Sequence, residues 1–154
     1  MKSLYDETSL ILMHAAEACG FSENRIEQIK SFALAAGFKR IGIANCIVFS
    51  TETRIITDYL STDFDVFSAD CKYGSLRRGD LFGGSGRGSL CNPAGQADYL
   101  NEKQTDLNLS LGLCMGHDMI FNSESNAPVT TLFTKDFTNN HNPARAVDEI
   151  SRRR

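Results

Sequence analysis

Hydrophobic positions at the start of the chain recur with the period of an α-helix. The repeat predicts one helix over residues 4–19 and a second over residues 22–37. Ser22 is suited to cap the second helix, and Gly37 is suited to end it. The predicted apolar faces consist of Leu10, Ile11, Ala15 and Ala18 in the first helix and of Ile26, Ile29, Phe32 and Ala33 in the second.

From residue 40 onward, apolar runs of strand length alternate with helical patterns. Strands are predicted at residues 40–46, 65–71, 107–113 and 128–133, and helices at residues 51–60, 92–103, 116–123 and from 142 to the end. Strands that alternate with helices form a parallel sheet covered on both faces. We therefore expect a Rossmann-like or flavodoxin-like α/β fold with about four parallel strands.

The pattern predicts one domain over residues 1–154. It comprises an N-terminal helical pair at 1–37, an alternating core at 40–154 and a flexible glycine-rich loop at 74–90. Two helices are expected to bury apolar faces made of Ile55, Ile56, Tyr59 and Leu60 in the first and of Ala146, Val147 and Ile150 in the last.

Composition and charge narrow the classes of partner. The net charge is −3, so the chain lacks the basic surplus of proteins that bind nucleic acid or anionic membranes. The one basic cluster, residues 152–154, closes the last predicted helix, where cations are favoured for structural reasons. No secretory signal opens the chain, and no apolar run reaches the length of a membrane span. We expect a cytoplasmic protein without nucleic-acid or membrane partners, whose five cysteines are thiols or metal ligands rather than disulfides.

Four of the five cysteines map to one edge of the predicted sheet. Cys46, Cys71 and Cys114 stand at the carboxyl ends of the first three strands, and Cys91 precedes the helix that leads to the third strand. In open parallel sheets, ligands bind outside these carboxyl ends, at the switch in strand order. Four thiolates suit tetrahedral zinc or an iron–sulfur cluster, and the sequence does not choose between them. A labile cluster could be lost from a purified sample.

Other candidate residues stand at predicted helix starts along the same edge. Cys91-Asn92 and His141-Asn142 are each followed by a proline and an alanine. Residues 114–118 bring Cys114, Gly116, His117 and Asp118 together within five positions. A thiol at a helix start has a lowered pKa, and an aspartate can orient a neighbouring histidine. The helix-start residues Asn92, Gly116 and Asn142 would line a binding site.

Two alternatives to a metal or cluster site stay open. The first is a metal-free thiol enzyme or redox protein, with Cys91 or Cys114 as nucleophile and His117 or His141 as base. The second is a module that binds a small anion at the helix starts, with structural cysteines. Either alternative is compatible with a small-molecule ligand, and the sequence does not determine the oligomeric state.

Several segments carry a family resemblance. They include residues 39–46, residues 91–97, residues 112–118, residues 127–132 and residues 141–144. The chain from about residue 20 onward resembles an uncharacterised domain-of-unknown-function family described as predicted metal-binding proteins of anaerobic bacteria and archaea. The resemblance implies cysteine-based metal binding without an established reaction. Relatives often carry a further cysteine-rich N-terminal segment, which is absent here, so no second metal centre is expected.

Overall fold

A computed structural model describes residues 4–20 and 23–153. Helix α1 (Glu7–Ala18) is capped by Asp6, whose side chain accepts a hydrogen bond from the Ser9 amide. Helix α2 (Arg25–Ala35) is capped by Asn24, whose side chain accepts hydrogen bonds from the amides of Ile26 and Glu27. The predicted cap, Ser22, lies outside the described residues, and so does Arg154 of the basic cluster.

Four parallel strands form one sheet. They are β1 (Arg40–Asn45), β2 (Asp65–Asp70), β3 (Leu107–Leu111) and β4 (Val129–Phe133). The order across the sheet is β2-β1-β3-β4, and every neighbouring pair is parallel. The chain runs from β1 outward to β2 and then returns past β1 to β3. The switch in strand order therefore lies between β1 and β3.

Helices cover both faces of this sheet. On one face, α2 and α3 (Ser50–Leu60) pack against Ile41, Ile43 and Leu109. On the other, α5 (Pro93–Glu102) and α6 (Met115–Glu124) pack against Ala44. The α/β fold with a four-stranded parallel sheet and two extra N-terminal helices is confirmed.

Three helices bury less than their sequence pattern predicts. In α1, Ala15 is buried, but Leu10, Ile11 and Ala18 of the predicted apolar face are exposed, since α1 packs mainly against α2.

In α3, Ile55 and Tyr59 are exposed, and Thr53 is buried beside Ile56 and Leu60. The prediction for α7 (Pro143–Ser151) is wrong, since Val147 and Ile150 are 65% and 57% exposed. Helix α7 follows the edge strand β4, away from the centre of the sheet, and none of its residues is buried.

The glycine-rich segment has more structure than the sequence predicts. It contains a short helix, α4 (Arg78–Phe82), and an antiparallel bridge pairs Arg77 with Ser89. Two backbone hydrogen bonds, from Arg78 to Gly88 and from Leu90 to Leu76, close it into a hairpin. It is therefore a folded excursion between β2 and α5. Across residues 4–20 and 23–153, no helix is long and apolar enough to cross a membrane.

Candidate functional site

The four cysteines expected at one edge lie together at the carboxyl end of the sheet. Cys46 directly follows β1 and Cys71 directly follows β2, so the two occupy matching positions on neighbouring strands. Cys91 is joined to this region because the amide of Asn92 donates to the Cys71 carbonyl at 2.8 Å. Cys114 stands at the start of α6. We call Cys46, Cys71, Cys91 and Cys114 the cysteine rim.

Lys135 links the two cysteines that flank the switch in strand order. Its Nζ lies 2.9 Å from Cys46 Sγ and 3.2 Å from Cys114 Sγ, within hydrogen-bonding distance of both. Lys135 follows β4 by two residues and is half-buried. One ammonium therefore bridges a buried thiol and an exposed thiol at the point where the fold favours a ligand.

The surroundings of Cys46 favour its thiolate form. Burial raises the pKa of this thiol, but the Lys135 ammonium and the Val48 amide both lower it, and the Cys71 thiol adds to their effect. Together they outweigh burial and hold the pKa of Cys46 below its ordinary value of 9.0. The pKa of Lys135 changes in the opposite direction. Burial lowers it, but the two neighbouring sulfurs raise it above the ordinary value. Each member of the pair thus favours the charged form of the other.

Cys71 has the opposite character. Burial raises the pKa of its thiol to about 11, against a hydrogen bond from the Ile47 amide that lowers it. The neighbouring Cys91 and Cys46 raise it further, because a second negative charge beside them is unfavourable. Cys71 is therefore a neutral thiol that lies between Cys46 and Cys91.

A second lysine lies beside Cys91. Lys72 directly follows Cys71, and its Nζ is 3.7 Å from Cys91 Sγ and 3.1 Å from the Ser89 carbonyl. The contact to sulfur is long, and the carbonyl takes the better hydrogen bond. Lys72 therefore fastens the glycine-rich hairpin to the cysteine rim rather than bridging two sulfurs.

Cys114 is positioned by a turn that requires glycine. Gly112 follows β3 with a φ of +62°, and a Cβ at this position would lie 2.3 Å from the Phe49 ring. The turn leads the chain away from the sheet, so that Cys114 becomes the N-cap of α6 with an exposed side chain. In the described part of the chain, its sulfur makes no capping hydrogen bond to α6, and its polar contact is with the Lys135 ammonium.

His117 makes no hydrogen bond to a cysteine among the described residues. Asp118 was expected to orient it, but its carboxylate instead accepts a hydrogen bond from the buried Ser110 hydroxyl. Asp118 thus connects α6 to β3, and the structure gives it no contact with His117.

His141 is held in an aromatic cluster. Its ring lies 5.0 Å from that of Phe49, 5.7 Å from that of Phe133 and 5.2 Å from that of Phe137, and its Nδ1 accepts from the Asp136 amide. Its φ of +61° belongs to a tight turn before α7. The contacts of His141 are those of a packing residue.

The predicted helix-start residues serve their own helices. Asn92 caps α5 by accepting from the Gly95 amide, and Asn142 caps α7 by accepting from the Ala144 amide. Gly116 is exposed near the start of α6. Because both asparagines use their side chains on the free amides, an anion at either helix start would compete with the cap.

Among residues 4–20 and 23–153, no group of three or more cysteine, histidine or acidic side chains is arranged closely enough to hold a metal ion. The contacts instead run from Cys114 through Lys135 to Cys46, and from Cys46 through Cys71 to Cys91. These four cysteines could hold a metal only if Lys135 moved away and the thiols converged. The fifth cysteine, Cys19, lies apart and donates to the Ala15 carbonyl.

Comparison with known proteins gives the family. The profile described as "Protein of unknown function (DUF1847)" matches residues 2–132, which is most of the chain. The chain belongs to this family. An uncharacterized protein of Methanocaldococcus jannaschii, MJ0455, is 41% identical over 130 residues, covering 81% of this chain and 67% of its own. No solved structure matches the chain significantly. The resemblance to an uncharacterised family is thus confirmed, and neither the description of DUF1847 nor that of MJ0455 names a metal or a reaction.

Sequence reasoning missed the two lysines and one glutamine. Lys72 and Lys135 each follow the carboxyl end of a strand, so the rule that located the cysteines would also have located them. Gln96 was not foreseeable in this way. Its side-chain amide donates to the Asn45 carbonyl at 3.1 Å and to the Ala69 carbonyl at 2.7 Å, which ties together the ends of β1 and β2.

Proposed function

We propose that this protein catalyses metal-free thiol–disulfide exchange at Cys46 and Cys114. The observation that carries the proposal is the position of the Lys135 ammonium, 2.9 Å from one sulfur and 3.2 Å from the other. The thiolate is the reactive form of cysteine, and a neighbouring cation stabilises it. The proposal modifies the expected thiol enzyme, because Lys135 stabilises the nucleophiles and no histidine acts as base.

Exposure assigns different roles to the two cysteines. Cys114 is exposed and can meet an external disulfide, whereas Cys46 is only 6% exposed. Both sulfurs contact the same nitrogen, so they lie within two hydrogen-bond lengths of each other. Cys114 is therefore the attacking residue and Cys46 the resolving residue.

The exchange has two steps that balance. The Cys114 thiolate attacks one sulfur of the substrate disulfide, so that a mixed disulfide forms and half of the substrate leaves as a thiolate. The Cys46 thiolate then attacks Cys114 Sγ, which forms an intramolecular disulfide and releases the other half. Two cysteines are oxidised, and one disulfide is reduced to two thiols that take up protons. The exchange reverses when a thiol is in excess. We infer a reducing, cytosolic setting, in which these cysteines stay free.

A single-turnover experiment with a small neutral disulfide tests the proposal. Reduced protein, kept without oxygen and with a chelator, is mixed with bis(2-hydroxyethyl) disulfide and mapped by peptide mass spectrometry. We expect a Cys46–Cys114 disulfide and two released thiols per chain. Cys46→Ser should stop at the mixed disulfide on Cys114, and Cys19→Ser, away from the cysteine rim, is the control. A disulfide between other cysteines, or no reaction, contradicts the proposal.

A second candidate is a metal ion or cluster held by Cys46, Cys71, Cys91 and Cys114. It is supported by the contacts of Cys71 with both Cys46 and Cys91, which bring thiols from separate strands together. Such a site would need Lys135 to withdraw. Metal analysis and an absorption spectrum of protein purified without oxygen test it. Bound zinc or iron that is lost in Cys71→Ser supports this candidate. Metal-free protein in which all four thiols of the cysteine rim can be alkylated contradicts it.

A further inference from the structure

A cavity of about 340 Å³ is lined by Lys135, whose Nζ lies 3.2 Å from Cys114 Sγ. It opens at the carboxyl ends of β3 and β4, and the two chain neighbours of Cys114, Leu113 and Met115, belong to its wall. Because the volume falls at the lower end of the usual range for ligand pockets, the cavity suits a small molecule. A ligand there would contact Lys135, which is one hydrogen bond away from the exposed Cys114 thiol.

The wall of this cavity combines apolar and polar side chains. Leu113, Met115, Phe133 and Pro143 supply its apolar surface, and the other lining residues are polar or charged. Among these are two carboxylates, those of Asp118 and Asp136. Polar groups in such a pocket fix the orientation of a ligand. The charge of those groups therefore decides which ligands it accepts.

The cavity carries a surplus of negative charge. Asp118 is half-buried and bonded to the Ser110 hydroxyl, and within the described ranges it takes part in no ion pair. Asp136 accepts two hydrogen bonds from Asn139 and keeps its charge, since these bonds lower the pKa of its carboxyl group. The one cation in the wall, Lys135, already contacts the sulfurs of Cys46 and Cys114.

We propose that this cavity selects substrates that carry an ammonium group next to their sulfur, as small aminothiols and their disulfides do. The substrate's ammonium faces Asp118, its short hydrocarbon part packs on the apolar wall, and its sulfur meets Cys114. The inference rests on the proposed thiol–disulfide exchange, since it names the substrate class of that same site. Anionic disulfides are disfavoured because Asp118 and Asp136 repel them.

Three disulfides of matched size and different charge test the inference. They are bis(2-aminoethyl) disulfide, bis(2-hydroxyethyl) disulfide and dithiodiglycolate, each reacted with wild-type protein and with a free reference thiol. Dividing by the reference rate removes the intrinsic reactivity of each probe. The cationic probe should exceed the neutral one by about fivefold after this correction, the size of one partly buried ion pair. The anionic probe should be the slowest.

Substitutions at Asp118 assign the preference to one side chain. Asp118→Asn should bring the ratio of cationic to neutral rates close to one, and Asp118→Glu, which keeps the charge, should retain most of it. Asp98→Asn removes a carboxylate from the exposed face of α5 and should leave the ratio unchanged. Circular dichroism of each variant checks folding, and the wild-type comparison alone is sufficient to test the inference.

The outcomes separate this inference from the proposed function. Rapid exchange with all three probes at equal corrected rates, or with the anionic probe fastest, overturns the cationic preference and leaves thiol–disulfide exchange intact. If no probe reacts faster with the protein than with the reference thiol, both fail. A cationic preference that persists in Asp118→Asn contradicts the assignment to this cavity.

Discussion

The cysteine rim has two halves with the same residue types and different chemistry. One half contains Cys46, Cys114 and Lys135, and the other contains Cys71, Cys91 and Lys72. Lys135 lies close to two sulfurs and the pKa of Cys46 is lowered, whereas Lys72 lies 3.7 Å from one sulfur and the pKa of Cys71 is raised to about 11. Composition alone therefore does not decide which thiol is reactive.

The physical difference lies in where each lysine is anchored. Lys135 comes from the segment after β4 and reaches back across β3. Both of its side-chain hydrogen bonds within the described residues are to sulfur. Lys72 bonds the Ser89 carbonyl at 3.1 Å, which holds its ammonium away from Cys71. A buried thiol without a close cation stays protonated, because burial disfavours its charged form.

The largest expected effect is a loss of stability when Gln96, which links the strand ends that carry the two halves, is replaced. Gln96 donates to the Asn45 carbonyl, next to Cys46, and to the Ala69 carbonyl near Cys71. Gln96→Ala leaves two buried carbonyls without this donor, so we expect it to lower the free energy of unfolding by about 3 kcal/mol. Urea denaturation measures the change. Gln28→Ala, which removes one half-buried bond to the Glu23 carbonyl, should cost about 1 kcal/mol. Equal losses would contradict the role of Gln96.

The second prediction concerns the stability of the fold in alkali. The folded pKa of Cys71 is about 11, above the ordinary value of 9.0, so its contribution is complete below 9.0 and is lost as the pH rises toward 11. We expect the wild type to lose about 2 kcal/mol more over this interval than Cys71→Ser, which does not titrate. Urea denaturation at several pH values measures it. Parallel curves for the two proteins would contradict the raised pKa.

The third prediction addresses the reactive half. Lys135→Met keeps most of the length of the side chain and removes its charge, so the sulfurs of Cys46 and Cys114 lose their ammonium partner. Single-turnover exchange with bis(2-hydroxyethyl) disulfide at neutral pH should slow by about tenfold, which corresponds to a loss of about 1.4 kcal/mol of transition-state stabilisation. Lys72→Met should change this rate by less than about twofold, since its contact to Cys91 is long. Similar slowing in both variants would remove the distinction between the halves.

The smallest effects are expected at the two histidines. His141→Ala removes a ring packed against Phe49, Phe133 and Phe137 and should lower the free energy of unfolding by about 1 kcal/mol without slowing exchange. His117→Ala should change neither quantity. Exchange that slows by about tenfold in either variant would restore a histidine to the reaction.

The sequence predicted the fold well because its periodicity reports burial on the sheet. Residues 40–46 and 65–71 are short apolar runs that became β1 and β2, and the strand-end rule correctly placed Cys46 and Cys71 side by side. The apolar periodicity of α7 also predicted a buried face, but Val147 and Ile150 of this amphipathic helix are exposed. Periodicity shows that a face is apolar but not whether another element covers it.

The arrangement within the candidate site was less predictable. Adjacency along the chain suggested that Asp118 would hold His117, but the side chains of successive helical residues point in different directions, and Asp118 meets Ser110 instead. Lys135 and Cys46 lie 89 residues apart, so no local pattern connects them. Distances between side chains from separate strands need the three-dimensional structure.

The pH dependence of alkylation at Cys46 itself tests most directly whether Lys135 activates this thiol. Reduced wild-type protein, treated with a chelator and without oxygen, is alkylated at a series of pH values, and peptide mass spectrometry reports each cysteine separately. We expect a midpoint for Cys46 below the ordinary value of 9.0, and a higher midpoint in Lys135→Met. A midpoint at or above 9.0 that does not move with Lys135 would contradict this activation.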